Sequence, residues 1–339
     1  MTAWYQRRRV LITGASGFVG ARLTQELVTR GARVIALIRD HAPHFETLLQ
    51  GPLRNVTVVW GDVEDFQLME RIINEYDVEL CFHLAAQSLV GTANRSPLST
   101  FETNIRGTWN VLEAVRRLGT SVRVVVASSD KAYGEPPVAK FTEELPVAGR
   151  HPYDVSKSCA DLLAQTYAST YGMPVGIVRC GNIYGEGDRN FNRIIPETMR
   201  AILRDEPPPI RSDGTLVRDY VYVGDAVDAY LLVGERLHEP EVRGQAFNFS
   251  GERSLSVLEL VQLILRLAGR TDLKPRIFKT ATGEIKEQSL CCDKARRVLG
   301  WRSRMSLEEG LAHTYRWYEG SVELHEGLHE SRCVSAHEK

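Results

Sequence analysis

The sequence predicts an α/β protein with a Rossmann-like, doubly wound parallel sheet and a smaller, interleaved α/β region that follows it. Three observations lead to this prediction: β-branched runs alternate with amphipathic stretches, a glycine-rich turn follows the first run, and the rhythm changes after residue 180. Such alternation is typical of βαβ units, in which helices cover both faces of a parallel sheet. The predicted strands lie at residues 10–13, 33–38, 56–60, 80–85, 123–129 and 175–180.

The first predicted helix connects the first two strands. Val19, Leu23 and Leu27 recur every four residues, so one face of this helix packs on the sheet, and Gly31 ends the pattern. Strand, helix and returning strand together occupy about 30 residues, which is the length that a βαβ crossover needs.

Two regions and a tail are expected along the chain. Residues 1–180 form the Rossmann domain, whose sheet is completed by part of the later chain, and residues 181–319 form mainly the smaller region. The loop 181–192 is rich in Gly, Asn and charge, and prolines interrupt a helical stretch at residues 207–209. Helices are predicted near residues 256–268 and 306–319. The tail 320–339 is polar and lacks an apolar period, so it is expected to be flexible.

Composition excludes several classes of partner. Lys and Arg (42) almost balance Asp and Glu (43), so no broad electrostatic field attracts nucleic acid or a membrane surface. No signal-peptide segment precedes the first strand and no run approaches ~18 apolar residues, which predicts a cytoplasmic protein. The six cysteines lack metal-binding or disulfide spacing, so no metal site is expected and the thiols are expected to be reduced.

A glycine-rich turn between the first strand and the first helix predicts a dinucleotide site. Gly14 permits the tight turn, Gly17 lets the backbone approach a pyrophosphate, and Gly20 allows close packing of the helix. Free N–H groups at the helix start then bind the anion. The candidate cofactor-binding residues of this turn are Gly14, Ser16, Gly17, Phe18, Val19 and Gly20.

The end of the second strand bears on the choice between NAD and NADP. An acid at position 38 would select NAD, but Ile38 cannot hydrogen-bond a ribose hydroxyl, whereas Arg39 can pair with a 2′-phosphate. NADP is therefore favoured. Asp40 keeps NAD open, because a shift of two residues would bring its carboxylate to the ribose.

The third and fourth strands also end at the edge where a ligand crosses a parallel sheet. Asp62 and Val63 follow the third strand, and Leu84, Ala85 and Ala86 follow the fourth, so these residues are candidates for cofactor contact. For Asp62 a second interpretation remains open, because an aspartate at this point can also be a helix N-cap.

Tyr153 and Lys157 form the candidate catalytic pair. Their spacing of four residues places phenol and ammonium on one helix face, and nearby positive charge lowers the pKa of a tyrosine toward working pH. A tyrosine of this kind is a general base for a secondary alcohol. Ser129 at the end of the fifth strand can hold the same hydroxyl.

Seven segments of the chain carry a resemblance to a known family. They are T-G-A-S-G-F-V-G, F-H-L-A-A-Q, N-I-R-G-T at 104–108, S-S-D-K-A-Y-G, Y-D-V-S-K, R-C-G-N-I-Y-G and R-D-Y-V-Y-V at 218–223. From residue 10 to about residue 318 the chain resembles the extended short-chain dehydrogenase/reductases, and among them the nucleotide-sugar epimerases and 4,6-dehydratases. The resemblance implies that residues 181–319 cap a nucleotide-sugar substrate, that Gln87 and Asn104 contact NAD(P), and that the protein is a homodimer. The substrate-binding residues that it implies are Ser88, Asn182, Asn192, Arg193 and Arg218, the last as a diphosphate ligand.

Within this family the residues that follow the serine at position 129 distinguish the reactions. Epimerases carry small uncharged residues there, whereas Asp130 and Lys131 resemble the pattern of CDP-glucose 4,6-dehydratases. The resemblance implies oxidation at carbon 4 with Tyr153 as base, loss of water across carbons 5 and 6, and hydride return to carbon 6. Asp130 then protonates the leaving hydroxyl, and Lys131, if burial favours its neutral form, removes the carbon-5 proton. The alternative is a 4-epimerase, and a more remote one is a non-catalytic dinucleotide sensor.

Overall fold

The structure is a computed structural model that describes residues 3–41, 45, 51, 53–119, 121–280 and 285–321. Its strands are β1 (Arg9–Thr13), β2 (Arg33–Ile38), β3 (Thr57–Trp60), β4 (Leu80–His83), β5 (Arg123–Ala127), β6 (Lys140–Phe141), β7 (Val175–Cys180), β8 (Asn182–Tyr184), β9 (Pro209–Ile210), β10 (Val217–Tyr222), β11 (Ala246–Phe249), β12 (Ser254–Ser256), β13 (Arg276–Ile277) and β14 (Glu287–Leu290). Its helices are α1 (Phe18–Thr29), α2 (Phe66–Glu75), α3 (Val90–Arg95), α4 (Pro97–Phe101), α5 (Gly107–Leu118), α6 (Pro152–Tyr171), α7 (Ile194–Leu203), α8 (Val223–Arg236), α9 (Val257–Leu267) and α10 (Leu307–Gly320). A 3₁₀ turn spans Asp130–Tyr133, and a π-helical turn spans Glu102–Arg106.

The central sheet has seven parallel strands in the order β3-β2-β1-β4-β5-β7-β11. This order confirms the doubly wound Rossmann-like fold. The strand order reverses between β1 and β4, and in such sheets a ligand binds outside the carboxyl ends of the strands at this point. Val10, Leu11 and Ile12 of β1 are fully buried, because helices cover both faces of the sheet.

Helices form a layer on each face of this sheet. Leu23 of α1 and Ala229 of α8 belong to one apolar core, whereas Met69 of α2, Val111 of α5 and Ala164 of α6 belong to the other. Helix α1 ends at Thr29, and Gly31 follows with a φ of 78°, as the sequence predicts for a glycine that stops the helix.

A second, smaller sheet lies beside the first. Its strands run in the order β12-β10-β14-β6, and β8 also pairs with β10. Helices α7, α9 and α10 pack into a separate core there, and Ser256 and Ser306 begin α9 and α10 with capping boxes. Both sheets draw strands from distant parts of the chain, since β6 joins the smaller sheet and β11 joins the larger one.

Two strands end earlier than predicted. β4 ends at His83 and β5 at Ala127, because the chain leaves the sheet to make local hydrogen bonds at its edge. The Ala85 N–H donates to Thr13 Oγ1, and Ser129 Oγ accepts from the Lys131 N–H at the start of the 3₁₀ turn. The edge thus presents turns and side chains where strands were expected.

Within the described ranges, no helix combines the length and apolar character needed to cross a membrane. The predicted flexible tail falls, from residue 322 onward, outside the described residues.

Candidate active site

A cavity of about 370 Å³ runs along the carboxyl ends of β1, β2, β3, β4 and β5. It brings together most of the residues that the sequence marks as cofactor-binding, together with both members of the predicted catalytic pair. Its lining residues are Gly14, Ser16, Gly17, Phe18, Val19, Gly20, Leu37, Arg39, Asp40, His41, Gly61, Asp62, Val63, Leu84, Ala85, Ala86, Ser88, Thr103, Ala127, Ser128, Tyr153, Lys157, Arg193 and Tyr230.

The glycine-rich turn shapes the floor of this cavity. A Cβ on Gly14, whose φ is 72°, would lie 2.8 Å from the Ala85 nitrogen, and a Cβ on Gly20 would lie 2.1 Å from the Gly14 oxygen. A Cβ on Gly17 would approach only the Gly14 oxygen, at 3.3 Å, so this side of Gly17 is open to the cavity. Gly17 is also the N-cap of α1 and supplies no side-chain cap, which leaves N–H groups for an anion. These features fit a dinucleotide pyrophosphate.

At the far end of the cavity, Arg39 lies between two carboxylates. Its Nε is 2.7 Å from Asp40 Oδ2 and 3.9 Å from Asp62 Oδ2. Asp62 is not the helix N-cap that one interpretation expected, because Asp65 caps α2 by accepting from the Leu68 N–H at 3.0 Å. The Asp62 side chain instead accepts from the Glu64 N–H and remains at the cavity wall.

Gln87 and Asn104, which the resemblance placed at the cofactor, do not line the cavity. Asn104 Oδ1 accepts from the Gln87 N–H at 2.7 Å, and its Nδ2 donates to the Gln87 carbonyl and to Ser156 Oγ. Asn104 is buried, and these hydrogen bonds connect the loop after β4 to α6. In this structure the Asn104 amide supports the residues of the cavity wall without lining the cavity itself.

Tyr153 and Lys157 lie in the first two turns of α6, and both line the cavity. Lys157 is 6% exposed and donates through Nζ to the Ala127 carbonyl at 2.8 Å, which holds it at the end of β5. Burial lowers the pKa of Lys157 to about 8, because a low-polarity environment disfavours the ammonium. The pKa of Lys157 is thus closer to physiological pH than that of an exposed lysine.

The prediction that positive charge lowers the pKa of Tyr153 overall is wrong for this structure. Burial raises the pKa of Tyr153 to about 12, and the charge of Arg193 and a hydrogen bond with Ser129 oppose that rise only in part. Desolvation of the phenolate outweighs the nearby charge. The cation that acts on Tyr153 is Arg193, which lines the cavity from the smaller region.

The turn after β5 holds the other predicted catalytic residues. Ser129 Oγ donates to Asp130 Oδ1 at 2.9 Å, and Asp130 is only 4% exposed. The other carboxylate oxygen of Asp130 is buried and has no hydrogen-bond partner among the described residues. Lys131 donates through Nζ to Gln288 Oε1 of β14 at 2.8 Å. Ser129, Asp130 and Lys131 are not part of the cavity lining, although Ser128 beside them is.

A second cavity of about 610 Å³ adjoins the first and opens toward the smaller region. It brings together three of the predicted substrate-binding residues, Ser88, Asn192 and Arg193, with other basic side chains. The lining residues are Ser16, Gly17, Phe18, Ser88, Leu89, Gly187, Asp188, Arg189, Asn190, Phe191, Asn192, Arg193, Arg200 and Arg211. Four arginines against one aspartate make this cavity suited to an anionic ligand.

Two predicted substrate-binding residues lie outside both linings. Asn182 donates from its side chain to the Asp219 carbonyl at 3.1 Å, and Arg218 is 7% exposed and donates to the Val217 carbonyl at 2.8 Å. The carboxylates of Asp219 and Asp225, with which the sequence would also allow Arg218 to form an ion pair, bond to other groups. Asp219 accepts from Ser250 Oγ and the Leu290 N–H, while Asp225 accepts from Ser303 Oγ and two backbone N–H groups.

Sequence reasoning missed Arg200, Arg211, Tyr230 and Gln288. Tertiary packing alone brings them to the two cavities or to the catalytic turn, as Gln288 illustrates by lying 157 residues from its partner Lys131.

The described part of the chain has no cluster of three or more His, Cys, Asp or Glu side chains suited to a metal ion. Its cysteines, Cys81, Cys159, Cys180, Cys291 and Cys292, are free thiols.

Known proteins are similar to this chain over nearly its whole length. The family model described as GDP-mannose 4,6 dehydratase matches residues 11–314. A dTDP-glucose 4,6-dehydratase of Xanthomonas campestris pv. campestris is 33% identical over 330 residues, which cover 91% of this chain and 92% of that protein. A CDP-glucose 4,6-dehydratase of Salmonella typhimurium is 30% identical over 335 residues, which cover 94% of this chain and 92% of that protein.

Solved structures give the same result for the fold. The dTDP-glucose 4,6-dehydratase from Bacillus anthracis in complex with NAD aligns with a TM-score of 0.83 at 27% identity, covering 95% of this chain and 99% of that chain. The UDP-glucose 4-epimerase from Thermotoga maritima with UDP-glucose aligns with a TM-score of 0.84 at 29% identity, covering 93% of this chain and 99% of that chain.

Proposed function

The chain belongs to the GDP-mannose 4,6 dehydratase family, within the extended short-chain dehydrogenase/reductases, and from this premise we propose that it is a nucleotide-diphosphate-sugar 4,6-dehydratase. At a coarser level it is a nicotinamide-dependent nucleotide-sugar dehydratase or epimerase. The observation that supports the finer proposal is the acid-amine pair Asp130 and Lys131, held in a turn that interacts with the Tyr153 hydroxyl through Ser129. CDP-glucose, or a related nucleotide hexose, is the proposed substrate.

The two cavities divide the ligands between the two parts of the fold. We assign residues 1–180, completed by β11, to the dinucleotide-binding domain, and residues 181–319 mainly to the substrate-capping region. The 370 Å³ cavity then holds the nicotinamide dinucleotide, and the 610 Å³ cavity with Ser88, Asn192 and Arg193 holds the diphosphate sugar. Arg193 lines both cavities, which supports a role for it at the junction of the two proposed ligands.

The protein groups act in two steps. When bound, the dinucleotide supplies a hydride acceptor for sugar carbon 4 and afterwards a hydride donor for carbon 6. In the first step Tyr153 takes the proton of the sugar 4-hydroxyl, and Ser129 orients that hydroxyl. To take this proton Tyr153 must be a phenolate, and the charge of Arg193 favours that form, because it opposes the rise in the pKa of Tyr153 that burial causes.

The second step removes water from the 4-keto sugar. Lys131 takes the proton from carbon 5, which the neighbouring ketone has acidified, and the carbon-6 oxygen leaves with a proton from Asp130. The buried, unpartnered oxygen of Asp130 supports its role, since no other described group occupies this oxygen and it is left for the leaving hydroxyl. A double bond between carbons 5 and 6 forms as the carbon–oxygen bond breaks, so the atoms balance as one water lost.

A 4-epimerase is the second candidate, and the fold supports it equally. Such an enzyme needs Tyr153 and Lys157 but no acid-amine pair after Ser129. Incubation of the purified protein with CDP-, dTDP-, GDP- and UDP-glucose separates the two. We expect a 4-keto-6-deoxy sugar from one of them, detected by mass loss of one water. Formation of the 4-epimer at unchanged mass would instead establish the epimerase.

We propose NAD as the cofactor, in place of the NADP that Arg39 suggested. The preference for NADP has no support from similar structures, one of which is named as an NAD complex. Two carboxylates flank the single guanidinium of Arg39, so a 2′-phosphate meets net negative charge, whereas ribose hydroxyls can donate to Asp40 or Asp62. Titration of cofactor-free protein should show NAD binding at least ~10-fold more tightly than NADP. Tighter NADP binding that Arg39→Ala abolishes would restore the original prediction.

We also propose a homodimer formed through α5 and α6. Trp109 and Leu162 on these neighbouring helices are 43% and 49% exposed, although large apolar side chains are usually covered. A second copy covers both in a symmetric contact, because the same two helices face each other. Sedimentation should give a dimer for the native chain and a monomer for Trp109→Arg with Leu162→Arg. Leu267→Arg, on α9, is the matched control and should stay dimeric; a dimeric double variant contradicts the proposal.

A further inference from the structure

Gln288 of β14 is fully buried and has no place in the mechanism described above, yet its side chain reaches the catalytic turn. Its Oε1 accepts a hydrogen bond of 2.8 Å from Lys131 Nζ. An ammonium only donates hydrogen bonds, so the amide oxygen must face it and the amide nitrogen must point elsewhere. That nitrogen is buried without a partner among the described residues. A buried unsatisfied donor is costly, so this orientation calls for a compensating role.

The strand that carries Gln288 also pairs with the strand that carries Arg218. Gln288 and Arg218 are register partners in the parallel pair β14 and β10, so their side chains leave the same face of the smaller sheet. β14 in turn pairs with β6, which follows the catalytic turn in the chain. Gln288 therefore connects Lys131 to β10, the strand that carries Arg218.

The neutral amide of Gln288 is suited to orienting the Lys131 amine, which is the proposed base. The charge of Lys131 lowers the pKa of Asp154 of α6 against a net rise caused by burial, so this carboxylate lies within electrostatic reach of the amine. A further carboxylate, at position 288, would stabilise the ammonium form of Lys131 more strongly. A neutral amide oxygen fixes the nitrogen atom without that added charge.

We propose that Gln288 is a positioning residue, which orients the Lys131 nitrogen for removal of the carbon-5 proton. The inference rests on the proposed dehydratase function, since only that reaction uses Lys131 as a base.

Two substitutions at position 288 test this proposal in the full-length protein. Gln288→Met keeps the length and volume of the side chain but removes the acceptor, and we expect kcat to fall by about 10²-fold, as misplacement by about 1 Å can do. KM should change by less than about threefold, and reduced cofactor absorbing near ~340 nm should accumulate, because oxidation precedes the affected step. Gln288→Glu keeps an acceptor but adds charge, so the rise of kcat with pH should move to higher pH. Ser289→Ala on the same strand is the control and should match the native protein.

The outcomes separate this inference from the function beneath it. If Lys131→Ala still eliminates water at the native rate, both the dehydratase mechanism and the role of Gln288 are overturned. If Lys131→Ala blocks elimination while folded Gln288→Met turns over normally, only the role of Gln288 is overturned. A loss of kcat in both Gln288 variants with an unmoved pH profile and a lowered Tm indicates a merely structural residue, and also overturns it.

Discussion

Tyr153→Phe should lower kcat by about 10²- to 10⁴-fold while leaving the fold and cofactor binding intact, because it removes one acid/base group and no packing atoms. Residue 153 lies in the first turn of α6 and lines the cavity, and the phenylalanine ring of the variant keeps the shape of this surface. Single-turnover mixing with the nucleotide sugar should show that formation of reduced cofactor is the slowed step. The loss therefore falls on oxidation at carbon 4, before any elimination.

Tyr167→Phe is the matched control for this experiment. Tyr167 lies on the same helix, but its hydroxyl donates to Glu113 and it does not line either cavity. We expect native turnover from this variant. Near-native turnover from Tyr153→Phe as well would remove Tyr153 from the mechanism.

Asp130→Asn and Lys131→Ala should stop the reaction after oxidation. Both changes leave Tyr153 and Lys157 in place, so hydride still leaves carbon 4 and reduced cofactor should accumulate near ~340 nm. Release of a 4-keto-6-deoxy sugar should fall by about 10²-fold or more, since each variant lacks one proton transfer of the elimination. The native protein should also introduce deuterium at carbon 5 from heavy water, because that proton returns from a solvent-exchangeable group.

Exposed charges close to the turn provide controls for these two substitutions. Glu135→Gln and Lys140→Ala remove one acid and one amine from the surface near the turn, and both should keep native product release. Interconversion of 4-epimers by the native protein, with both catalytic variants almost fully active, would show that Asp130 and Lys131 are bystanders and that the enzyme is an epimerase.

The large sheet could be predicted from the sequence because its strands are buried on both faces. Strands such as β1 and β7 are therefore rich in buried β-branched residues, and the intervening helices keep a clear apolar period. The short strands of the smaller sheet have no such signal. β14, with the sequence E-Q-S-L, contains no β-branched residue, and it is a strand only because β10 and β6 pair with it.

In the candidate site, too, local sequence patterns predict some features, whereas tertiary packing decides others. Tyr153 and Lys157 could be paired from sequence, because a helix fixes the relation of residues four apart. The pKa of Tyr153 could not be predicted, since it depends on burial and on the charge of Arg193. Arg193 reaches the cavity from the start of another helix, α7. Gln288 was likewise invisible, because only the pairing of β14 with β10 places it beside Lys131.

The position of β11 in the large sheet constrains how the chain can fold during synthesis. Phe247 and Phe249 of this strand are fully buried, and β7 has no neighbour on that side until β11 has left the ribosome. A nascent chain that ends near residue 180 thus carries an open, apolar sheet edge, which is a site for mispairing with other chains. Because β11 completes the large sheet while β6 belongs to the smaller one, no single cut in the chain separates the two sheets.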